Sequence, residues 1–300
     1  MSHVGTHAQI PSGDAAVAVI TAGAAAKAPA ENFPVALRLL PARYRRHLMA
    51  VYKFARTVDD IGDEALPDEA LPAAAERLRL LDELEDDLGR LYSGGVPQLE
   101  VIGQLAPTVT ECAVPAQLLR DLIQANRQDQ AVSRYQTFDD LLGYCKLSAN
   151  PVGRIVLHIF DAYSPRRAKL SDHVCTALQL AEHWQDVAQD AAAGRIYLPL
   201  EDLDRFGCTE SELAEPTAGS QLRALMSFQV VRASALLNAG SPLIATLHGA
   251  ARFAVAGYVA GGRAALTAIE AADHDVLSAT PRPDKRRLTA ELARAYTRGR

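Results

Sequence analysis

Cysteine is scarce in this chain. Four stand among 300 residues, Cys112, Cys145, Cys175 and Cys208, far apart and with no CxxC, so neither a zinc site nor a disulfide framework is indicated and a reducing cytoplasm is the expected compartment. No apolar run reaches the 18 residues needed to span a bilayer, which leaves peripheral contact as the only kind of membrane association to expect. Basic charge is not in excess either. The net charge of -5 and the pI near 5.9 argue against a nucleic-acid partner. GxGxxG and GxxxxGK[ST] are both missing, so a dinucleotide or P-loop site has no support. Convincing period-two strands and internal repeats are absent as well.

What remains is a helical pattern. At 49% hydrophobic the chain can bury a large core, read here as one domain over residues 31–300. Residues 1–30 are rich in Ala, Gly and small polar residues; their apolar patch AAVAVITAGAAA lacks a basic segment before it and is too short to cross a membrane, so they read as a disordered tail. Helices are expected from Pro41 to Glu64, from about Asp68 to Tyr92, near Leu99 to Leu105 and from Pro115 to Asn126. A long helix from Phe138 to Ala162 should kink at Pro151, which removes a hydrogen bond and crowds the preceding turn. Leu170 to Ala192 forms the next. The run GRIYLPLEDLDRFG reads as extended and then turning, and Thr209 with Glu212 forms a capping box. Two Ala-rich helices split near Gly240-Ser241-Pro242, and DKRRL starts a last one.

Two carboxylate pairs at i, i+4 spacing stand out: Asp59 with Asp63, and Asp186 with Asp190. Like charges so placed cost an isolated helix roughly 0.2–0.5 kcal/mol per pair. Tyr52, Arg56, Asp59 and Asp63 follow the stripe spacing that amphipathic helices normally give to apolar residues, as do Gln179, Glu182, Asp186 and Asp190. A solvated acidic face is the ordinary explanation for one such pair. It does not explain why both ladders lie in segments rich in Ala, Val, Leu and Phe. Two facing ladders do, because hard oxygen ligands on opposed helices suit Mg²⁺, or Mn²⁺, shared with substrate phosphates. The inferred ligand is a diphosphate bridged by magnesium.

Weaker signals surround the ladders. Asn150-Pro151-Val152-Gly153, with Tyr144 and Ser148 upstream, combines a kink with small side chains, either ordinary packing or room for a long apolar tail. Arg195 and Tyr197 follow the second ladder and could contact phosphate and leaving group. His183 and Trp184 read more readily as core. The clusters Arg43, Arg45, Arg46 and Lys285, Arg286, Arg287 read as solvated helix ends, with attraction to anionic lipid the lesser reading.

The segments ENFPVALRLLP, AVYKFARTVDDIGDE, YCKLSANPVGR and LQLAEHWQDVAQDAAAGRIYLPLEDLDRFG, taken in order over about residues 31–290, resemble the squalene/phytoene synthase family. The resemblance implies an all-α, single-domain isoprenoid-synthase (class I terpenoid synthase) fold with a central cavity. It implies that Asp59, Asp60, Asp63, Asp186 and Asp190 hold Mg²⁺, and that Tyr52, Arg56, Arg195 and Tyr197 contact diphosphate or leaving group. Phe33, Tyr144, Ser148, Val152, Gly153 and Gln179 would contact the substrate. Three positions depart from the family pattern. A His-Ser-Lys-Ser-like stretch is replaced by Pro29, Ala30, Glu31 and Asn32, which points away from condensing two prenyl diphosphates. Glu182 stands where Asn is common and could also ligate the metal. Thr280 stands where an Arg often precedes the proline, with Arg282 close enough to substitute.

The ENFPVA opening is most similar to the hydroxysqualene synthase branch of bacterial hopanoid biosynthesis. That implies ionisation of presqualene diphosphate, rearrangement and quenching by water, with no NADPH, between a presqualene diphosphate synthase and a hydroxysqualene reductase. The alternatives are a presqualene, dehydrosqualene or phytoene synthase that condenses two prenyl diphosphates, and a non-catalytic relative acting as a scaffold. Intact Asp59, Asp63, Asp186 and Asp190 count against the last.

Overall fold

The computed structural model describes residues 40–63 and 74–298, so the expected tail and Phe33 lie outside the described residues. Twelve α-helices are described: α1 (Ala42–Asp63), α2 (Ala74–Tyr92), α3 (Glu100–Glu111), α4 (Ala116–Asp129), α5 (Phe138–Ser148), α6 (Asn150–Ile159), α7 (Pro165–Gln185), α8 (Val187–Ala192), α9 (Leu200–Phe206), α10 (Ser220–Gly240), α11 (Gly249–Ala271) and α12 (Lys285–Arg298). Among the described residues the β pairing is a single isolated bridge between Arg134 and Ile196. The all-α expectation holds.

Helix α7 sits at the centre. It buries Ala168, Val174, Ala177, Leu180, Ala181 and Trp184 and packs against α5, α6, α10 and α11. Neighbours on several sides, rather than one, bury its apolar residues although it also carries exposed Arg166, Lys169 and Glu182. Its crossing with α10 is close. A Cβ at Gly240 would lie 2.7 Å from the Leu170 carbonyl oxygen and 2.8 Å from the Val174 nitrogen, so glycine is required by backbone meeting backbone.

Both expected long helices are broken. The Pro151 kink separates two helices at the single distorted residue Ala149 (φ -114°, ψ -46°), and Pro151 stands in the first turn of α6, where its missing N–H is not needed. The second ladder is likewise not one straight helix, because Asp186 (φ -103°, ψ 15°) ends α7 and precedes α8. Its two flanking turns still connect, with the Asp186 N–H donating to the Glu182 carbonyl (3.0 Å) and the Asp190 N–H to the Asp186 carbonyl (2.8 Å). Helix α3 runs past the expected Leu105 to Glu111 and contains Pro107, because Thr108 continues the buried stripe of Val101, Ile102 and Leu105. The Thr209–Glu212 capping box forms as expected.

Asp275 pins the α11–α12 connection to the start of α10. Its buried carboxylate accepts N–H bonds from Ala218 (3.0 Å), Leu277 and Ser278 (3.2 Å each), and the Arg223 guanidinium donates at 2.8 Å. Burial pushes the Asp275 carboxyl upward, but those N–H groups and Arg223 outweigh it and hold it below the usual carboxylate range. A folded value below the unfolded ~3.9 means the contribution is present above that pH and lost as pH falls through the folded value. Asp275→Asn should therefore lower stability at neutral pH and flatten the acid limb of a stability-against-pH curve; an unchanged acid limb would mean other carboxylates control it.

Candidate active site

One cavity receives part of each ladder, Tyr52 and Asp59 of the first and Gln179 and Glu182 of the second; Arg56, Asp186 and Asp190 are not among its walls. It has a volume of about 350 Å³, and its walls come from α1 (Leu48, Val51, Tyr52, Ala55, Asp59), α5 and α6 (Ser148, Val152, Gly153, Val156, Leu157), α7 (Val174, Cys175, Leu178, Gln179, Glu182) and the α10–α11 region (Leu243, Val255, Tyr258). Asp59 and Glu182 are both exposed, and both share this one space. Apolar residues line most of the remainder. The sequence-derived residues Tyr52, Asp59, Ser148, Val152, Gly153, Gln179 and Glu182 are all brought together here.

Gly153 is what lets α6 approach α7. A Cβ there would stand 2.3 Å from the Ser171 Oγ and 2.4 Å from the Cys175 Sγ. Burial pushes the Cys175 thiol to about 11, so at neutral pH it is a small apolar wall rather than a nucleophile.

The other expected residues are arranged differently. Asp60 does not line the cavity: it is buried and pairs with Arg56 across one turn at 3.0 Å. Tyr144 is also away from the cavity wall. Its hydroxyl donates to Asp129 Oδ2 at 2.8 Å, and burial, followed by the nearby Tyr197 and Asp129, raises it well above the ordinary tyrosine range. It packs 5.9 Å from Tyr197 and 5.6 Å from Tyr135. Only the backbone position of Asp63, the last residue of α1, is described.

Arg195 and Tyr197 line a small recess beside Asp190, His183 and Val187. Their extended segment is held by the Arg195 N–H donating to the Asp190 carbonyl (2.8 Å) and the Ile196 N–H donating to the Ser133 carbonyl (3.0 Å). His183 is buried, as its reading as core expects, and it links this recess to the cavity through Gln179. Its ring stacks on Tyr197 with centroids 3.6 Å apart. Gln179 Nε2 lies 3.2 Å from His183 Nε2. The other ring nitrogen, Nδ1, faces Asp190 Oδ2 at 3.9 Å. On the other wall, Asn126 donates from Nδ2 to Asp59 Oδ1 at 3.2 Å. Trp184 is fully buried core.

The donor set fits a hard divalent cation. Burial and the neighbouring Asp190 push the Asp186 carboxyl up, against the opposing charges of Arg282 and His183. Among the described residues no three His, Cys, Asp or Glu side chains gather as a metal cage, so an ion held here must draw oxygens from water and substrate as well. Arg282 reaches Asp186 with its charge from a segment fastened to α7 and α8: Gln185 donates to the Pro281 carbonyl and Gln189 to Thr280 Oγ1 (3.3 Å).

An all-helical bundle with carboxylates of two helices at the mouth of one apolar cavity defines the class I isoprenoid-synthase fold. The chain belongs to the squalene/phytoene synthase family, whose sequence pattern matches residues 26–290, and so to a group of enzymes that process prenyl diphosphates. It is 35% identical over 219 residues to a hydroxysqualene synthase of Rhodopseudomonas palustris, covering 72% of this chain and 71% of that one. It is 30% identical to a phytoene synthase of Arthrospira platensis, covering 83% and 82%. The crystal structure of a squalene synthase from Alicyclobacillus acidocaldarius superposes with a TM-score of 0.75 at 36% identity, covering 87% of this chain and 94% of that one.

Proposed function

We propose that the chain is a hydroxysqualene synthase, converting presqualene diphosphate and water to hydroxysqualene and diphosphate. The observation that carries this reading is the cavity that brings Asp59 and Glu182 together with mostly apolar walls; the chain's similarity to the Rhodopseudomonas enzyme supports the choice of reaction. The diphosphate would lie at the charged end and the hydrocarbon along Val51, Val152, Val174 and Leu178. Mg²⁺ held by Asp59, Asp63, Glu182, Asp186 and Asp190 together with substrate phosphates would offset charge on the departing diphosphate. Arg195 and Arg282 stand near Asp190 and Asp186, where a guanidinium can bind phosphate oxygens. Apolar side chains such as Val51, Val152, Val174 and Leu178 would shield the carbocation over much of the wall during rearrangement.

Purified protein given presqualene diphosphate and Mg²⁺ in ¹⁸O-labelled water should yield a labelled C30 alcohol, with or without NADPH. Squalene formed in proportion to NADPH would refute the water quench. The similarity to the Arthrospira phytoene synthase over 83% of the chain favours a second reading, condensation of two prenyl diphosphates. Product from farnesyl or geranylgeranyl diphosphate alone would select it.

Glu182 supplies a further test. If it holds the metal, Glu182→Ala should raise the Mg²⁺ concentration needed for half-maximal rate by roughly tenfold, about 1.4 kcal/mol of lost ligation, while Glu182→Asn should be tolerated. Identical Mg²⁺ titrations for wild type and Glu182→Ala would place Glu182 outside the metal's ligands.

A further inference from the structure

Ser148 closes α5 and forms part of the cavity wall. Its Oγ is buried and has no hydrogen-bond partner among the described residues. A serine inside a helix often donates to the carbonyl four residues back, but Ser148 Oγ makes no such bond to Tyr144. A buried hydroxyl left so is costly, and its usual explanation is a water or ligand that completes it. Other polar groups of the wall are engaged: Gln179 meets His183 at 3.2 Å, and Ser171 Oγ stands 4.0 Å from Cys175 Sγ.

Two contacts fix the depth of Ser148 in the cavity. On one side of it in sequence, the Tyr144 ring packs 6.3 Å from His183; on the other, Asn150 Oδ1 accepts from Thr176 Oγ1 at 2.9 Å. The chain from α5 into α6 therefore runs antiparallel to α7, and Ser148 falls level with Leu178 and Gln179. That is about one helical turn, ~5.4 Å, before Glu182. With the diphosphate lying at Asp59 and Glu182 as proposed, the carbon it leaves is one step deeper, at the level of Ser148. Val152 and Leu178, which also line this stretch, are apolar, so the hydroxyl interrupts a wall otherwise suited to hydrocarbon.

We propose that Ser148 is a positioning residue that holds the water quenching the carbocation, and so selects an alcohol over a hydrocarbon. That role rests on the proposed reaction and adds to it the group that places the water. A serine hydroxyl has two acceptor lone pairs; accepting a hydrogen bond from the water, it turns a water lone pair toward the cation. That lone pair forms the new C–O bond, and the resulting oxonium gives its proton to the departed diphosphate. No protein group changes its charge. Without a held water, the cation instead loses a proton from carbon to the same diphosphate and becomes a C30 hydrocarbon.

The test is product analysis of the full chain with presqualene diphosphate, Mg²⁺ and ¹⁸O-labelled water, counting labelled alcohol per diphosphate released. Counting per diphosphate separates the fate of the cation from the rate at which it forms. Ser148→Thr and Ser148→Val match each other in shape and differ in the hydroxyl. The threonine variant should keep the alcohol as its main product. The valine variant should yield roughly tenfold less alcohol per diphosphate, the worth of one neutral hydrogen bond, with a C30 hydrocarbon in its place. Should the valine variant fail to fold, Ser148→Ala carries the same expectation against wild type. A purely structural role would lower the melting temperature or the rate and leave the ratio where it was. Equal alcohol per diphosphate in the threonine and valine variants, or in wild type and Ser148→Ala, overturns the proposal while the assigned reaction stands. Wild type that releases diphosphate without forming labelled alcohol overturns the assigned reaction, and the proposal with it.

Discussion

Asp186→Asn is expected to lose about three orders of magnitude in kcat while its melting temperature stays level or rises. Charge stabilisation by a shared metal contributes several kcal/mol to such reactions, and ~4 kcal/mol corresponds to roughly a thousandfold. The fold should not suffer, because burial and Asp190 already disfavour the ionised form of Asp186. Removing that charge relieves repulsion, and the backbone bonds of Asp186 to Glu182 and Asp190 are untouched. Asp59→Asn should behave alike, since an asparagine oxygen can still accept from Asn126. Steady-state kinetics beside thermal unfolding decides it: full turnover in either variant would remove that residue from the site.

Gly153→Ala should destabilise the protein by about 1–3 kcal/mol, the usual cost of overpacking a filled interior, or roughly 2–4 °C of melting temperature per kcal/mol for a domain of this size. The added methyl would overlap the Ser171 Oγ and Cys175 Sγ and force α6 from α7, along the wall that should hold the hydrocarbon. Activity should fall with stability. Adding Ser171→Ala and Cys175→Ala should restore much of the stability, because both atoms in the way are then gone; coupling of this kind marks direct contact. If the triple variant is no better than Gly153→Ala alone, close approach of the helices is not what requires glycine.

Much of the site was legible because its chemistry is spaced along helices. Tyr52 and Asp59 on one stripe, Gln179 and Glu182 on another, announce two polar faces in apolar surroundings, and the cavity receives all four. Periodicity cannot see where a helix is interrupted by its own tertiary load. Asp186 was placed on a straight ladder and instead occupies the break between α7 and α8. The resemblance makes Asp59 and Asp60 equal ligands, whereas the stripe spacing already separates them, because successive residues point about 100° apart around a helix of 3.6 residues per turn. One reaches the cavity and the other is buried against Arg56.

The sequence by itself determined the helical class, the positions of most helices, the two carboxylate ladders and the family, because local periodicity, proline punctuation and ordered motifs are properties of neighbouring residues. Tertiary structure alone decided which of those residues share a space. It took Tyr144 from the cavity and gave it to Asp129, made His183 the link between Gln179 and the recess of Tyr197, and completed the apolar wall with Leu243, Val255 and Tyr258 from far along the chain. Those contacts depend on how α5, α6, α10 and α11 pack around α7, which no local spacing encodes.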